Sequence, residues 1–353
     1  MKKVIVGMSG GVDSSVSAFL LKEQGYDVVG LFMKNWEEKN EEGICTSTSD
    51  YEDAACVCDL LKIPLYSVNF VKEYWDLVFS HFVDELKIGY TPNPDILCNK
   101  EIKFNVFFEK AKSLGADFLA TGHYAQTLNG ALLKATDEAK DQTYFLYTLK
   151  ESILKQVLFP VGHLRKPQVR EIAKAAGIST HDKKDSTGIC FIGKRDFKEF
   201  ISQYIPYKKG NFETLNGNVI GTHDGAAYYT IGQRKGLGIG GQGDAWFVVN
   251  KDIERNVVIV EQGSDHPALY ANRLLAKEAT FVDGKFPLSL PYKCQAKVRY
   301  RQEQQECLIE SMDQNHLIIS FLKPQRAITP RQSIVFYQDD RCIGGALIEK
   351  PFK

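Results

Sequence analysis

Apolar residues along this chain follow two successive patterns. From residue 1 to about 200, short apolar runs alternate with stretches of helical spacing. Lys3-Val4-Ile5-Val6-Gly7-Met8 reads as a buried strand, and Val12, Val16, Phe19 and Leu20 then recur at helical spacing until Gly25. Further strands are expected at Val28–Phe32, Leu65–Val68 and Phe118–Thr121, and Ile102, Val106, Phe107, Ala111 and Leu114 mark a helix ending at Gly115. Strand alternating with helix predicts a parallel, doubly wound α/β sheet. After Tyr204-Ile205-Pro206 helical spacing fades and short strands with glycine-rich turns take over. Trp246–Val249 and Val257–Val260 flank an expected turn at Asn250-Lys251-Asp252, and a further strand series starts near 270. The expected units are an α/β domain at 1–205, a small β-rich unit at 206–270 and a β-barrel at 271–353.

Composition narrows the classes. The 353 residues carry 44 Lys+Arg against 44 Asp+Glu, so a polyanionic partner needs locally concentrated cations. Cys294, Ala296, Val298 and Tyr300 alternate with Gln295, Lys297, Arg299 and Arg301, which predicts a strand with one apolar face inward and a basic stripe outward, suited to phosphate or merely a solvated face. The start MKKVIVGMSGGVDSS loses its apolar character too early for a secretory leader, and no apolar run approaches a membrane span. Eight cysteines are too sparse for a disulfide scaffold, so a reducing cytoplasm is expected.

Ser9-Gly10-Gly11-Val12-Asp13-Ser14-Ser15 joins the first strand to the first helix. Two glycines allow close approach of phosphate oxygens, a helix N-terminus favours an anion, and the serines offer hydroxyl donors. A plain tight turn with Asp13 or a serine as cap is the competing reading. The lysine of a γ-phosphate loop is missing. Gly236-Leu237-Gly238-Ile239-Gly240-Gly241 matches a dinucleotide fingerprint in form only, since a strand and not a helix follows. It reads as a glycine-rich hairpin beside Gln233-Arg234-Lys235, suited to RNA backbone.

Two cysteines stand in electropositive settings. Cys98 lies in Thr91-Pro92-Asn93-Pro94-Asp95-Ile96-Leu97-Cys98-Asn99-Lys100, just before the helix expected from Glu101, and Cys190 is flanked by Lys183, Lys184 and Lys194. Both features favour thiolate. Cys56-Val57-Cys58 has the wrong spacing for zinc. Cys45, Cys56, Cys58, Cys294, Cys307 and Cys342 are read as core or incidental.

The loop S-G-G-x-D-S resembles that of the PP-loop ATP pyrophosphatases (adenine nucleotide α-hydrolase-like fold). Together with "TPNPDILCNKEIKF", "ATGHYA", "KDQTYFLYTL", "KKDSTGICFIG", "TIGQRKGLGIGG" and "KVRYRQ", the chain resembles the bacterial tRNA-specific 2-thiouridylases and their mitochondrial relatives over nearly its whole length. The resemblance implies ATP with Mg2+ as cofactors and adenylation of C2–O of the wobble uridine, position 34, in tRNAs for Lys, Glu and Gln. It implies a persulfide on Cys190, fed by a sulfur-donor protein or cysteine desulfurase relay, a transient Cys98–Cys190 disulfide, and Asp95 as general acid or base. Gly7, Met8, Ser9, Gly10, Gly11, Val12, Asp13, Ser14, Met33 and Gly122 would contact ATP. Asn93, Pro94, Asp95, His123, Lys140, Asp141, Gln142, Arg299, Tyr300 and Gln332 would contact tRNA. The protein is expected to work as a cytoplasmic monomer with no membrane partner. A PP-loop synthetase or amidotransferase acting on a small molecule, and a non-catalytic tRNA-binding protein, are the alternatives on the residues alone.

Overall fold

The computed structural model describes residues 1–37, 46–185, 197–285, 289–313 and 315–353, the side chains of Thr46 and Ser47 excepted. Cys45 and Cys190 lie outside the described residues.

The first unit is built on five parallel strands. β1 (Lys3–Met8) lies at the centre, with β2 (Asp27–Lys34) and then β3 (Leu65–Asn69) on one side. β4 (Phe118–Ala120) and a two-residue strand, Val157–Leu158, lie on the other. β1 is apolar from Val4 to Met8 because helices cover both faces: Ile5 packs into one hydrophobic cluster, and Val4, Val6 and Met8 into the other. Helix α1 (Val12–Glu23) buries Val12 and Val16 and ends through Gln24 into Gly25, whose φ of +82° suits only glycine.

The four strands read from apolar runs are all present, and the fold is the expected α/β sheet followed by β-rich units. The fifth strand escaped because two residues carry no periodicity. The order reverses between β1 and β4, since the chain moves outward through β2 and β3 before returning to β4's side of β1. Ligands of open parallel sheets bind in the crevice at the carboxyl ends of strands at such a reversal.

A middle sheet joins Trp246–Asp252, Val257–Gln262, Gly210–Glu213 and Val219–His223 in that spatial order. Asn250, Lys251 and Asp252, expected in the turn, belong to the strand, which absorbs the extra length by a bulge between Val248 and Asn250. Between Thr230 and Ala245 the chain forms no strand, so the glycine-rich hairpin read from the sequence is an irregular loop. It is packed at Gly232, where a Cβ would meet Ala327 at 2.7 Å and Arg299 beyond it.

Six antiparallel strands then form a closed barrel. Their order is Tyr270–Phe281, His316–Arg326, Gln305–Met312, Tyr292–Lys297, Ser333–Gln338 and Arg341–Phe352, and the first and last pair to complete the ring. Leu274, Ile309, Ile319, Ile334, Phe336 and Ile348 fill it. A hairpin of the first unit, Gln126–Leu128 with Ala131–Leu133, extends this sheet by pairing Leu133 with Arg341 and Leu132 with Cys342. Strands of three residues left no readable signal.

Candidate nucleotide and thiol sites

The glycine loop follows β1 directly into the crevice. Gly10 has φ +70°, and a Cβ there would lie 2.3 Å from the carbonyl oxygen of Asp50. Gly122, just beyond β4, sits so close that a Cβ would meet the backbone N of Ser14 at 2.7 Å. Both glycines are therefore required by packing around the loop, whatever they also touch. The serines differ from expectation: the hydroxyls of Ser14 and Ser15 donate to the Gly11 carbonyl at 3.0 and 2.9 Å, and both residues are buried. Ser9 shares a 3.1 Å hydrogen bond with Ser14. These hydroxyls shape the loop, leaving backbone N–H groups to face an anion. Gly11 caps α1 with no side-chain cap, so the plain capping reading of Asp13 is not what the loop uses.

Asp13 instead enters an ionic knot. Its Oδ1 accepts from the Tyr124 hydroxyl at 2.8 Å, and both its oxygens lie 2.8 Å from Lys166 Nζ. Lys166 also lies 2.7 Å from Asp185, which takes Lys140 at 2.6 Å and Arg170 at 3.1 Å. Burial would raise the Asp185 carboxyl, but the hydrogen bonds from Lys140 and Lys166 outweigh it and bring the pKa to about 2. Burial first, then the Asp13 carboxylate, pushes the Tyr124 phenol well up, so it stays a donor. Tyr124, Lys166, Arg170 and Asp185 were not read as site residues. They lie 111 or more positions from Asp13, and Pro167 in the first turn of helix Lys166–Ala175 was the one local sign that Lys166 opens a helix.

Met8 and Val12 are core residues flanking the loop, Gly7 packs on Phe107, and Met33 near the end of β2 is partly buried. His123 is buried, with Nδ1 2.8 Å from the Thr121 hydroxyl and its ring between Phe104 and Phe159. Burial, aided by Lys103, holds it well below the usual histidine range, so it is neutral.

The Cys98 helix begins earlier than expected. Asn93 is its cap, with the side-chain oxygen accepting from the N–H groups of Asp95 and Ile96, and Pro94 opens the first turn. The helix runs from Pro94 to Ser113 and widens from Cys98 to Val106, where the Phe107 N–H reaches back five residues to Ile102. Such widened turns recur at functional sites. Cys98 is thus inside the helix and 0% exposed, not at its exposed start. Asp95, three residues earlier, is partly buried in the first turn. The Asn99 amide beside Cys98 donates to the Phe145 carbonyl, while its oxygen is buried with no partner.

The remaining expected tRNA residues gather along the seam between the first unit and the barrel. Asp141 is buried and accepts from the N–H groups of Ala135 and Thr143 and the Thr143 hydroxyl, with Lys297 at 3.7 Å. The side-chain oxygen of Gln142 accepts from the Tyr124 N–H. Tyr300 packs on Phe145, ring centroids 4.4 Å apart, and the Gln332 amide donates to the Thr91 carbonyl. Arg299 lies past the end of its strand, where the alternation stops, and donates to the carbonyls of Ile231 and Ala327 and to Thr329. With Lys293 near Glu306 and Lys297 near Asp141, the basic stripe read from alternation is a set of partnered side chains.

Among the other cysteines, Cys56 is exposed and Cys58 is buried, its thiol pushed up to about 11 chiefly by burial. Cys294 and Cys307 face each other across two barrel strands with sulfurs 3.5 Å apart, and the Cys294 sulfur, then burial, drives the Cys307 thiol far up. Burial does the same at Cys342. Among the described residues no three His, Cys, Asp or Glu side chains come together as a metal site.

A glycine–serine loop at the reversal point of a parallel sheet, locked by a lysine–carboxylate knot, defines a nucleotide-binding α/β domain with two β units behind it. Residues 2–194 match the family profile described as tRNA methyl transferase HUP domain, 198–262 the PRC-barrel domain of that name, and 271–348 an aminomethyltransferase beta-barrel domain. The tRNA-specific 2-thiouridylase MnmA of Protochlamydia amoebophila is 60% identical over 99% of this chain and 94% of its own. That of Shouchella clausii is 56% identical over 99% and 96%. The chain belongs to the tRNA-specific 2-thiouridylase family. A solved 4-thiouridine synthetase–RNA complex with bound ATP aligns with 58% of this chain and 50% of its own at 17% identity, TM-score 0.36.

Proposed function

We propose that the protein is an ATP-dependent tRNA uridine 2-sulfurtransferase. The observation that carries this reading is 60% identity over 99% of the chain to a named 2-thiouridylase. The loop at the crevice, the Asp13–Lys166 knot and the cysteine within the widened helix support it. The units proposed are 1–205 for catalysis, 206–270 as a link and 271–353 for tRNA, in a cytoplasmic monomer.

In this reading the loop from Ser9 to Ser14 holds the β- and γ-phosphates of ATP through backbone N–H groups, while Met33 and Gly122 border the nucleoside. Magnesium comes with the nucleotide as part of the substrate, because such ions bind phosphates with few protein ligands and no dedicated cluster is needed. The C2 oxygen of uridine 34 attacks the α-phosphate, pyrophosphate leaves, and C2 then bears AMP as leaving group. Asp95, at the front of the helix, moves the proton at the base, with Asn93 and Pro94 fixing that turn. The terminal sulfur of a Cys190 persulfide attacks C2 and expels AMP. The Cys98 thiolate attacks the Cys190 sulfur, releasing the thiolated base and leaving a Cys98–Cys190 disulfide for a dithiol reductant to reset. The persulfide is refilled by a sulfur-donor protein or cysteine desulfurase relay. His123, Gln142, Tyr300 and Gln332 border the tRNA, Lys140 turns instead to Asp185 in the knot, and Asp141 and Arg299 hold the seam behind them. The substrates proposed are the tRNAs for Lys, Glu and Gln.

The test is mass analysis of nucleosides from each of these tRNAs after incubation with ATP and a persulfide donor. The expected products are 2-thiouridine, AMP and pyrophosphate. ADP and phosphate in their place overturn the ATP assignment. Cys190→Ser should still release pyrophosphate yet transfer no sulfur, and thiolation by this variant near the native rate overturns the persulfide role.

A further inference from the structure

Asp185 carries more positive charge than one carboxylate needs. Lys140, Lys166 and Arg170 all bind it, at 2.6, 2.7 and 3.1 Å. Arg170 is further fixed by the carbonyls of His181 and Lys183. Lys166, whose side chain is only 9% exposed, is shared with Asp13 in the first turn of α1. Three cations thus converge on Asp185 beside a loop shaped for an anion, and the carboxylates of Asp13 and of Asp137, which accepts from the Lys166 backbone N–H, complete a charge-balanced cluster in partly buried surroundings. A buried lysine needs an anion close by. Here that anion is supplied by the chain itself.

We propose that Lys140, Lys166 and Arg170 form a polyphosphate subsite adjoining the glycine loop, and that Asp185 occupies it as an internal competitor which the phosphates displace. This rests on the ATP reading above. The ligand class is a condensed phosphate: the β,γ end of ATP, or the pyrophosphate that leaves. A carboxylate offers one negative charge and two oxygens, whereas pyrophosphate offers more of both, and charge-assisted bonds favour the richer acceptor. Asp185 stays ionised throughout the neutral range, so an anion and not a proton has to remove it. The exchange leaves Lys166 neutralised and releases Asp185 to solvent.

The sign of one substitution distinguishes this from a merely structural knot. In calorimetric titration of the full chain with inorganic pyrophosphate, Asp185→Asn should bind about 3- to 10-fold more tightly than the native chain, because the competitor is gone. Lys166→Met and Arg170→Met should bind at least about tenfold more weakly. Unchanged or weaker binding by a folded Asp185→Asn variant overturns the proposal. Should that variant fail to fold, the native chain supplies the readout. Pyrophosphate should increase carbodiimide labelling of Asp185 while protecting Lys140 from acylation, both followed by mass spectrometry, and labelling of Asp185 that pyrophosphate leaves unmoved overturns it. Titration with ATP and with pyrophosphate separates the two sources. Native chain that binds neither sinks the ATP reading and the subsite together, whereas native chain that binds both with Asp185→Asn behaving as native sinks the subsite alone.

Discussion

Gly122 leaves no room for a methyl group, and that makes it the sharpest single-residue probe of the loop. An alanine Cβ would collide with the Ser14 N and the Asp13 carbonyl carbon, at 2.7 and 2.8 Å, and both are backbone atoms that cannot swing aside. Gly122→Ala should cost about 1–3 kcal/mol of stability and weaken ATP binding more than stability, checked by melting temperature and titration. The thiols give a second test. Cys98 is fully buried and Cys56 exposed, so alkylation without substrate should label Cys56 first and Cys98 far more slowly. The sequence suggested the reverse order for Cys98, because neighbouring lysines are visible in a sequence and burial is not. Lys251 offers a pH test. Burial lowers its pKa to about 8, and its amine donates to the Tyr229 carbonyl. The unfolded lysine titrates near 10.4, so between about 8 and 10.4 the unfolded chain binds more protons and stability rises with pH. Lys251→Met should abolish that rise, which is of order 1–3 kcal/mol, as read from urea midpoints at neutral and alkaline pH.

At the scale of elements, helix Pro94–Ser113 shows what was legible and what was not. Its hydrophobic spacing from Ile102 to Leu114 and its stop before Gly115 were plain. Its start lies two turns before Glu101, at Asn93-Pro94, where the apolar spacing has not yet begun and only the cap and the proline mark the opening. Asn93→Ala should cost about 1 kcal/mol and loosen the turn bearing Asp95, seen as faster amide exchange there. The strand Tyr292–Lys297 teaches the complementary lesson. Alternation correctly buried Cys294 and Ala296, and then ran on past the strand end into a turn, where Arg301 has φ +66°. Arg299 therefore points into the joint between loop 230–245 and the barrel. Arg299→Ala should cost about 1–3 kcal/mol, since it strands the Ile231 carbonyl and leaves the Ala327 carbonyl with the Thr329 hydroxyl alone. Any loss of tRNA affinity should leave the salt dependence unchanged, and a slope reduced by about one phosphate contact would return Arg299 to the RNA surface. The ionic knot at Asp13 was unreadable for a simpler reason: its members come from five separate segments, at 13, 124, 140, 166–170 and 185, that only the fold brings together.

At the scale of the whole molecule, the units are stitched and not strung. Tyr144 and Tyr147 from the first unit are buried with hydroxyls bonded to Ser333 in the barrel, and Gln332 reaches back to Thr91. Truncation after Gln262 should therefore yield insoluble protein or a melting temperature far below that of the full chain, although the α/β sheet itself would be intact in sequence. Solubility and thermal unfolding of the truncated chain check this, and a well-behaved fragment would show that the seam contributes little. The hairpin at 126–133 carries the same idea into the time of synthesis. Leu132 is fully buried, and its sheet partner is Cys342, 342 − 132 = 210 positions later. At roughly 5–20 residues per second a ribosome takes about 10–40 s to cover that distance. For that interval the emerging chain holds an apolar strand edge without its barrel mate, long after its first sheet has formed, and such unpaired edges are where nascent chains are prone to aggregate.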